Sequence, residues 1–431
     1  MIAGMPIPLR FLSALLACLL ASCATSLSTS GPDSNPASAA RAVATHAPDS
    51  VLLVSLDGFR ADYLDLGITP NLSRIAREGV RARWMSPSYP TLTFPNHYSM
   101  VTGLVPDHHG IVHNTMRDAA IGGFKLSDRK AVGDGRWWDG QPIWVSAEKA
   151  GLPSATLYWP GSEAEIAGVR PTRWSQYREG HTLPLHERVD TVLGWLSEPQ
   201  ATRPRIATLY FETVDHDSHA YGPDSPQAYA AVRAVDAELG RLLDGLVARG
   251  IAEHVNLVVV SDHGMAAVPR PQLVAVEDVV SKEEATVVTI GQVITIAPNP
   301  GHEARVERKL LGMHDGYDCW RKGELPARWH YGSHPRIPPI VCQMHEGWDM
   351  LPRETIAKRT TAIRGSHGYD PALPSMRALF VASGPAFRRG VTLQPFANVD
   401  VYPLLARLLG IQPAPNDGDI APLLPALRAT P

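Results

Sequence analysis

Cysteine is scarce in this chain, four residues in 431, and neither a CxxC redox pair nor a CxxC zinc motif occurs. Charge is scarce too: 19% of residues are charged, the formal net charge is -3, and like charges form no block. That removes the electrostatic basis for a nucleic-acid backbone or an anionic membrane as a stable partner, so any nucleotide must be gripped locally. No internal repeat is evident. The one long apolar run, Phe11 to Leu20, is too short to span a bilayer as a stable helix.

That run reads instead as the core of an export signal, preceded by a positive charge at Arg10. It ends in Leu20-Ala21-Ser22-Cys23, which resembles a bacterial lipobox, where small residues admit the peptidase and the Cys23 thiol carries the lipid. Ordinary cleavage nearby is the alternative. Residues 24–49 are rich in Ser, Ala and Pro without an apolar period and read as a flexible tether. The mature protein is therefore expected to be exported and periplasmic, monomeric, and held to a membrane at most by a lipid on Cys23. Cys18 leaves with the signal. Cys319 and Cys342 remain, in a compartment where disulfides persist, and a bridge between them is the favoured reading. They flank a proline-bearing stretch, so the bond is expected to pin a loop-rich excursion and not a core element.

What the chain has in quantity is apolar residues, 44% of the total, enough for a large core. Val51 to Leu56 is a continuous apolar run ending at Asp57-Gly58, as a central parallel strand buried on both faces requires. Similar runs are Ala155 to Trp159, Ile206 to Phe211, Leu257 to Val260 and Ala378 to Ala382. Between them lie helical patterns, one from Thr69-Pro70 to Gly79 and one with Val232, Val235, Leu239, Leu242 and Leu246 on a single stripe closed by Gly250. A last helix is expected from Leu404 to Gly410. Alternating strands and helices predict an α/β fold with a doubly wound, mostly parallel sheet, whose ligands bind beyond the carboxyl ends of the strands. The catalytic core is expected over 50–265 and 365–431, with a smaller α+β insertion over 266–364 that carries the disulfide.

Seventeen histidines are present, several in short runs with aspartate that a packed core does not call for. Four segments at strand ends or turns offer metal ligands: Asp57, Asp215 with His219, Asp262 with His263, and His367. Singly, an aspartate after a strand is an ordinary helix cap and a histidine an ordinary core or surface residue. Together, these carboxylates and imidazoles are a donor set that zinc accepts, and six side chains suit two ions better than one. Asp215 and His219 lie four apart, so a helical turn points both the same way. A second constellation surrounds Thr93: Pro95 suits the first turn of a helix with Thr93 at its cap, where N-H groups and the helix dipole favour an anionic phosphate. Beside two metals its hydroxyl would become a strong nucleophile.

The run Thr93-Phe94-Pro95-Asn96-His97-Tyr98, with Val101-Thr102-Gly103, Pro106 and His109-Gly110, resembles the nucleophile segment of nucleotide pyrophosphatase/phosphodiesterases, enzymes of the alkaline phosphatase superfamily. The resemblance continues through Ser261 to Met265 and Gly365 to Asp370 and covers essentially the whole mature chain. It implies an alkaline-phosphatase-like fold and two zinc ions about 4 Å apart, one held by Asp57, Thr93, Asp262 and His263, the other by Asp215, His219 and His367. It further implies that Asn114 donates to a phosphate oxygen in the transition state, and that Phe94 and Tyr210 sandwich a nucleobase with Tyr177 in the same slot. One departure stands out: the family pattern near the second zinc has glycine before the histidine, where this chain has Ser218 before His219.

The expected reaction is hydrolysis of nucleotide phosphodiester and pyrophosphate bonds through a covalent phosphothreonine at Thr93. A phosphate monoesterase on the same core is the first rival. It needs an extra positive group over the phosphate, and no arginine occurs between Thr91 and Thr102. A glycerophosphodiester or lysophospholipid substrate is the second rival, made topologically plausible by the lipobox. A non-catalytic, metal-stabilised binding module is the third, and it would gain nothing from a polarised Thr93.

Overall fold

The computed structural model describes residues 50–429; the export signal, Cys23 and the tether lie outside the described residues. Its centre is an eight-stranded sheet made of β1 (Ser50–Leu56), β2 (Val80–Ala82), β3 (Ser154–Leu157), β4 (Arg173–Ser175), β5 (Ile206–Phe211), β6 (Val255–Val260), β7 (Phe380–Ser383) and β8 (Val391–Leu393), in the order β8-β2-β7-β6-β1-β5-β3-β4. All seven residues of β1 are buried. Leu52, Val54 and Leu56 point into one hydrophobic cluster while Val51 and Leu53 point into another, which is why this strand reads as unbroken apolar sequence.

On the first face pack α1 (Pro70–Glu78), α3 (Leu185–Leu196) and α5 (Pro226–Ala248), through Leu72, Val192 and the Val232-Val235-Leu239-Leu242 stripe. On the second pack α2 (Thr93–Thr102) and α6 (Val401–Leu409), through Tyr98, Val101, Tyr402 and Leu404. Each such side chain contributes roughly 1.5–3 kcal/mol by leaving water. The result is the doubly wound α/β sheet expected. It is mixed, because β7 runs antiparallel to both β6 and β2. Two details differ from the reading of the sequence. The run predicted to reach Trp159 stops at Leu157 because Tyr158 takes a left-handed conformation (φ 66°), and the short strands β2, β4 and β8 were missed because three residues show no period.

The strands Ala266–Pro269 and Ile363–Ser366 pair antiparallel, so the chain leaves the core and returns to it at one place. Between them lies a five-stranded antiparallel sheet in the order 285–287, 293–298, 340–344, 317–321, 312–314. Cys319 and Cys342 face each other across its adjacent strands and are bonded. Both are buried in this sheet's own hydrophobic cluster with Ile294, Ile340 and Met344. The bridge therefore sits in a core and not in a loop-rich excursion, because the loop residues 322–339 form only the closed end of the hairpin that it ties. Among the described residues no helix is long and apolar enough to cross a membrane.

Closing a loop with a sequence separation of 23 is expected to lower unfolded-state entropy by an amount worth about 3 kcal/mol. The double variant Cys319→Ala, Cys342→Ala should lose about that much in denaturant unfolding while keeping its activity at moderate temperature; an unchanged midpoint would show that the bridge adds nothing to stability.

Candidate active site

Parallel pairing of β1 with β5 and with β6 brings three carboxyl ends to one edge of the sheet. Asp57 follows β1, Asp262 and His263 follow β6, and β5 leads through Glu212 into α4 (Thr213–Tyr221), which carries Asp215 and His219 one turn apart. His367 arrives from the returning strand 363–366, opposite His263, and the two rings stack at 3.6 Å. Close approach needs glycine at two points. A Cβ on Gly58 (φ 66°) would lie 3.0 Å from Asp215 Cα, and one on Gly365 would lie 2.3 Å from the Ser218 carbonyl oxygen. The serine in place of the expected glycine at 218 is thus absorbed: α4 continues through it with the residue fully buried, and the glycine that this contact requires is Gly365.

The six ligand candidates form two groups, Asp57 with Asp262 and His263, and Asp215 with His219 and His367. His216 and Asp217 belong to neither. In the first group His263 Nε2 lies 2.9 Å from Asp262 Oδ2 and 3.5 Å from Asp57 Oδ1. In the second, His219 Nε2 and His367 Nε2 lie 3.4 and 3.6 Å from Asp215 Oδ1. Every imidazole has its Nδ1 on a backbone carbonyl at 2.9 Å: His219 on Gly365, His263 on Gly264 and His367 on Thr91. A donor at Nδ1 leaves the Nε2 lone pair of a neutral ring facing the carboxylates. The oxygens they face, Asp57 Oδ1, Asp215 Oδ1 and Asp262 Oδ2, are buried without a hydrogen-bond partner. Oxygen and nitrogen donors converging in this way call for a cation in place of any protons they hold, and this donor chemistry fits zinc.

The charges say the same. Burial, with repulsion from Asp262 and Asp215, pushes the Asp57 carboxyl well above the usual range although the Tyr210 hydroxyl opposes it. Burial would also raise Asp262, but His263 and His97 outweigh it and hold it well below. His263 is raised by Asp262 against the pull of burial. His367 is held neutral by burial and by the neighbouring His263 and His219. The first group therefore draws positive charge, and the second presents a neutral imidazole.

Thr93 is the first residue of α2, with Leu92 at the cap position, one place from where the sequence set it. It is the one half-buried residue of that helix, the others being buried, and its Oγ1 lies 3.4 Å from His263 Nε2. Asn114 Oδ1 accepts from the Phe94 N-H (2.9 Å), which fixes the amide and leaves its NH2 without a partner among the described residues. Thr93, Asn114, Phe94, Tyr177 and Tyr210 all line one cavity of about 760 Å³, together with Asp57, Asp215, His219 and His367. Tyr210 has a second task the sequence did not reveal: its hydroxyl donates to Asp57 Oδ2 (2.5 Å) while its ring meets Tyr177 edge-on at 5.6 Å.

Other residues escaped the sequence. His97, one turn after Thr93, is fully buried, with Nδ1 2.9 Å from the Thr93 carbonyl and 3.3 Å from Asp262 Oδ2, and Nε2 2.8 Å from Ser55 Oγ. The i,i+4 spacing from Thr93 was the available signal. Arg188, 2% exposed, clamps Glu212 through both guanidinium NH2 groups (2.5 and 2.9 Å) and so anchors the start of α4. Arg364 lines the cavity beside His219. Nothing local marked either arginine.

The model of the family "Type I phosphodiesterase / nucleotide pyrophosphatase" matches residues 51–370. An uncharacterised pyrophosphatase/phosphodiesterase of Schizosaccharomyces pombe is 37% identical over 88% of this chain and 80% of its own length. The bis(5'-adenosyl)-triphosphatase of Xenopus laevis is 36% identical over 86% of this chain and 80% of its own. Human ectonucleotide pyrophosphatase/phosphodiesterase family member 1 is 36% identical over 85% of this chain, which spans only 40% of that longer protein. Among solved structures, an inactive form of murine ectonucleotide pyrophosphatase/phosphodiesterase 5 in complex with AMP superposes with a TM-score of 0.83 at 34% identity, over 88% of this chain and 100% of that one.

Metal uptake by the metal-free protein must expel the protons that the raised Asp57 and His263 retain. Zinc affinity should therefore rise with pH across the range in which these groups titrate, by up to about tenfold per pH unit for each proton released. Calorimetric titration in buffers of different ionisation enthalpy measures this; zinc binding with no proton release near neutrality would contradict the charge assignment.

Proposed function

Because this chain belongs to the type I phosphodiesterase/nucleotide pyrophosphatase family, we propose that it hydrolyses nucleotide phosphodiester and pyrophosphate bonds, with Thr93 as nucleophile and two zinc ions as cofactors. The observation that carries the reading is the set of three buried, unpartnered carboxylate oxygens facing three imidazole Nε2 atoms beside the Thr93 hydroxyl. Asp57, Asp262 and His263 would hold one zinc with Thr93, and Asp215, His219 and His367 the other. Bound zinc would lower the pKa of a coordinated hydroxyl and neutralise charge on the phosphoryl oxygens.

The chain's own groups do the rest. The Thr93 Oγ, its proton released to solvent, attacks phosphorus in line, the bond to the leaving oxygen breaks, and that oxygen takes the electron pair. Water then attacks the phosphothreonine and releases Thr93 with its proton restored. The Asn114 NH2, oriented by the Phe94 N-H on its Oδ1, donates to a non-bridging oxygen as charge builds there. Phe94 and Tyr177 offer apolar walls for a base, and the cavity is large enough for a nucleoside beside the phosphate. A monoester has no second substituent to fill those walls, which favours the diester reading. For a nucleoside triphosphate the products would be a nucleoside monophosphate and pyrophosphate. The family members named as ectoenzymes support action outside the cytoplasm, consistent with export.

The variant Thr93→Ala should lose at least about 10³-fold in turnover of ATP and of p-nitrophenyl thymidine monophosphate while retaining its zinc. Steady-state kinetics with metal analysis measures both, alongside p-nitrophenyl phosphate as the monoester comparison. Near wild-type rates would remove Thr93 from the mechanism, and a strong monoester preference would reverse the choice of substrate class.

A further inference from the structure

The cavity does not end at the metal-ligand groups. At one end lie Phe94 and Tyr177, where Arg129 is already committed to Glu163 (3.2 Å) and the Tyr177 carbonyl (3.0 Å). The same lining includes Asp215, His219 and His367 and, bonded to the His219 carbonyl, Arg364, with His216 and Ala220. Arg364 is held there by two bonds across one seam: its Nε donates to the His219 carbonyl (3.1 Å), and the carbonyl of its neighbour Gly365 receives His219 Nδ1 (2.9 Å). The guanidinium is half-buried yet forms no ion pair with any carboxylate among the described residues. Asp349, half-buried, feels its charge through space, with no hydrogen bond between the two. An arginine fixed by one nitrogen, with its two terminal nitrogens free of hydrogen bonds among the described residues at the wall of a cavity, is a ready anion site.

Its position says which anion. Thr93 stands beside His263, in the first ligand group, and in-line attack sends the leaving group away from Thr93, towards the second. We propose that Arg364, with His216 beside it in the cavity lining, forms a subsite for an anionic leaving group, and that it makes the enzyme prefer substrates that release pyrophosphate or another phosphorylated fragment. This rests on the reading of Thr93 as nucleophile. In that step the Thr93 hydroxyl gives its proton to solvent as the Thr93 Oγ–phosphorus bond forms, the bond from the α-phosphorus to its bridging oxygen breaks, and the electron pair goes to that oxygen. The departing pyrophosphate gains one negative charge, next to the guanidinium. A neutral leaving chain or a phenolate would draw less from it.

The substitution Arg364→Gln tests this, because the glutamine Nε2 replaces the arginine Nε on the His219 carbonyl while the terminal charge is lost. With ATP, kcat/KM should fall roughly 10- to 100-fold, the value of a charge-assisted hydrogen bond, whereas p-nitrophenyl thymidine monophosphate should change by less than about threefold. Calorimetry of the zinc-loaded protein should show weaker binding of inorganic pyrophosphate and unchanged binding of AMP. Equal losses on both substrates would mean that Arg364 only braces α4, and no loss on ATP would empty the subsite; either result overturns the inference. So does a selective loss in Arg178→Gln with none in Arg364→Gln, since Arg178 lines the same cavity next to Tyr177 in the chain. If wild-type protein cleaves neither substrate, the underlying reading has failed, and the inference falls with it.

Discussion

Three carboxylates and three imidazoles are crowded at one edge of a sheet, each imidazole pinned through Nδ1 to a backbone carbonyl and each carboxylate turning one buried oxygen without a hydrogen-bond partner towards an imidazole Nε2. This is the constraint on which the rest of the structure depends. Unpartnered buried charge costs several kcal/mol per group unless a cation answers it. No packing consideration would assemble such a cluster, and much of the surrounding architecture serves to hold it: Tyr210 on Asp57, His97 on Asp262 and Thr93, and Arg188 on Glu212 at the start of α4.

The sheet makes the assembly possible. Parallel neighbours β5, β1 and β6 end at one edge, so residues 57, 215 and 262 meet although they are far apart in the chain. The excursion over 266–364 begins and ends in paired strands, which returns His367 to His263. Gly58 and Gly365 remove the side chains that would hold α4 away. A substitution at Gly365 would therefore be felt at His219, without touching a ligand.

What was legible in the sequence follows from these physical facts. β1 was legible because both its faces are buried, and α5 because a single stripe of it is. Asp57, Asp262 and His263 were legible because each sits directly behind such a strand. The three-residue strands β2, β4 and β8 carried no period. The cysteine bridge was read correctly as a pair, but the sheet that contains it was hidden by the irregular sequence between residues 322 and 339, which is one long hairpin end. Arg188 and Arg364 could not be found at all. The meaning of an arginine lies in its partner, and their partners, Glu212 and the His219 carbonyl, are supplied by tertiary folding. Ser218 looked like a weak point because the glycine compensating for it lies 147 residues further on.

The central claim is that the two ligand groups are two metal sites sharing one substrate cavity. Anomalous diffraction from crystals of the zinc-loaded protein, collected on both sides of the zinc absorption edge, tests it most directly. Two separate zinc peaks are predicted, one bounded by Asp57, Asp262 and His263 with Thr93 beside it, the other by Asp215, His219 and His367. A single peak, or none within reach of these six side chains, would contradict the account.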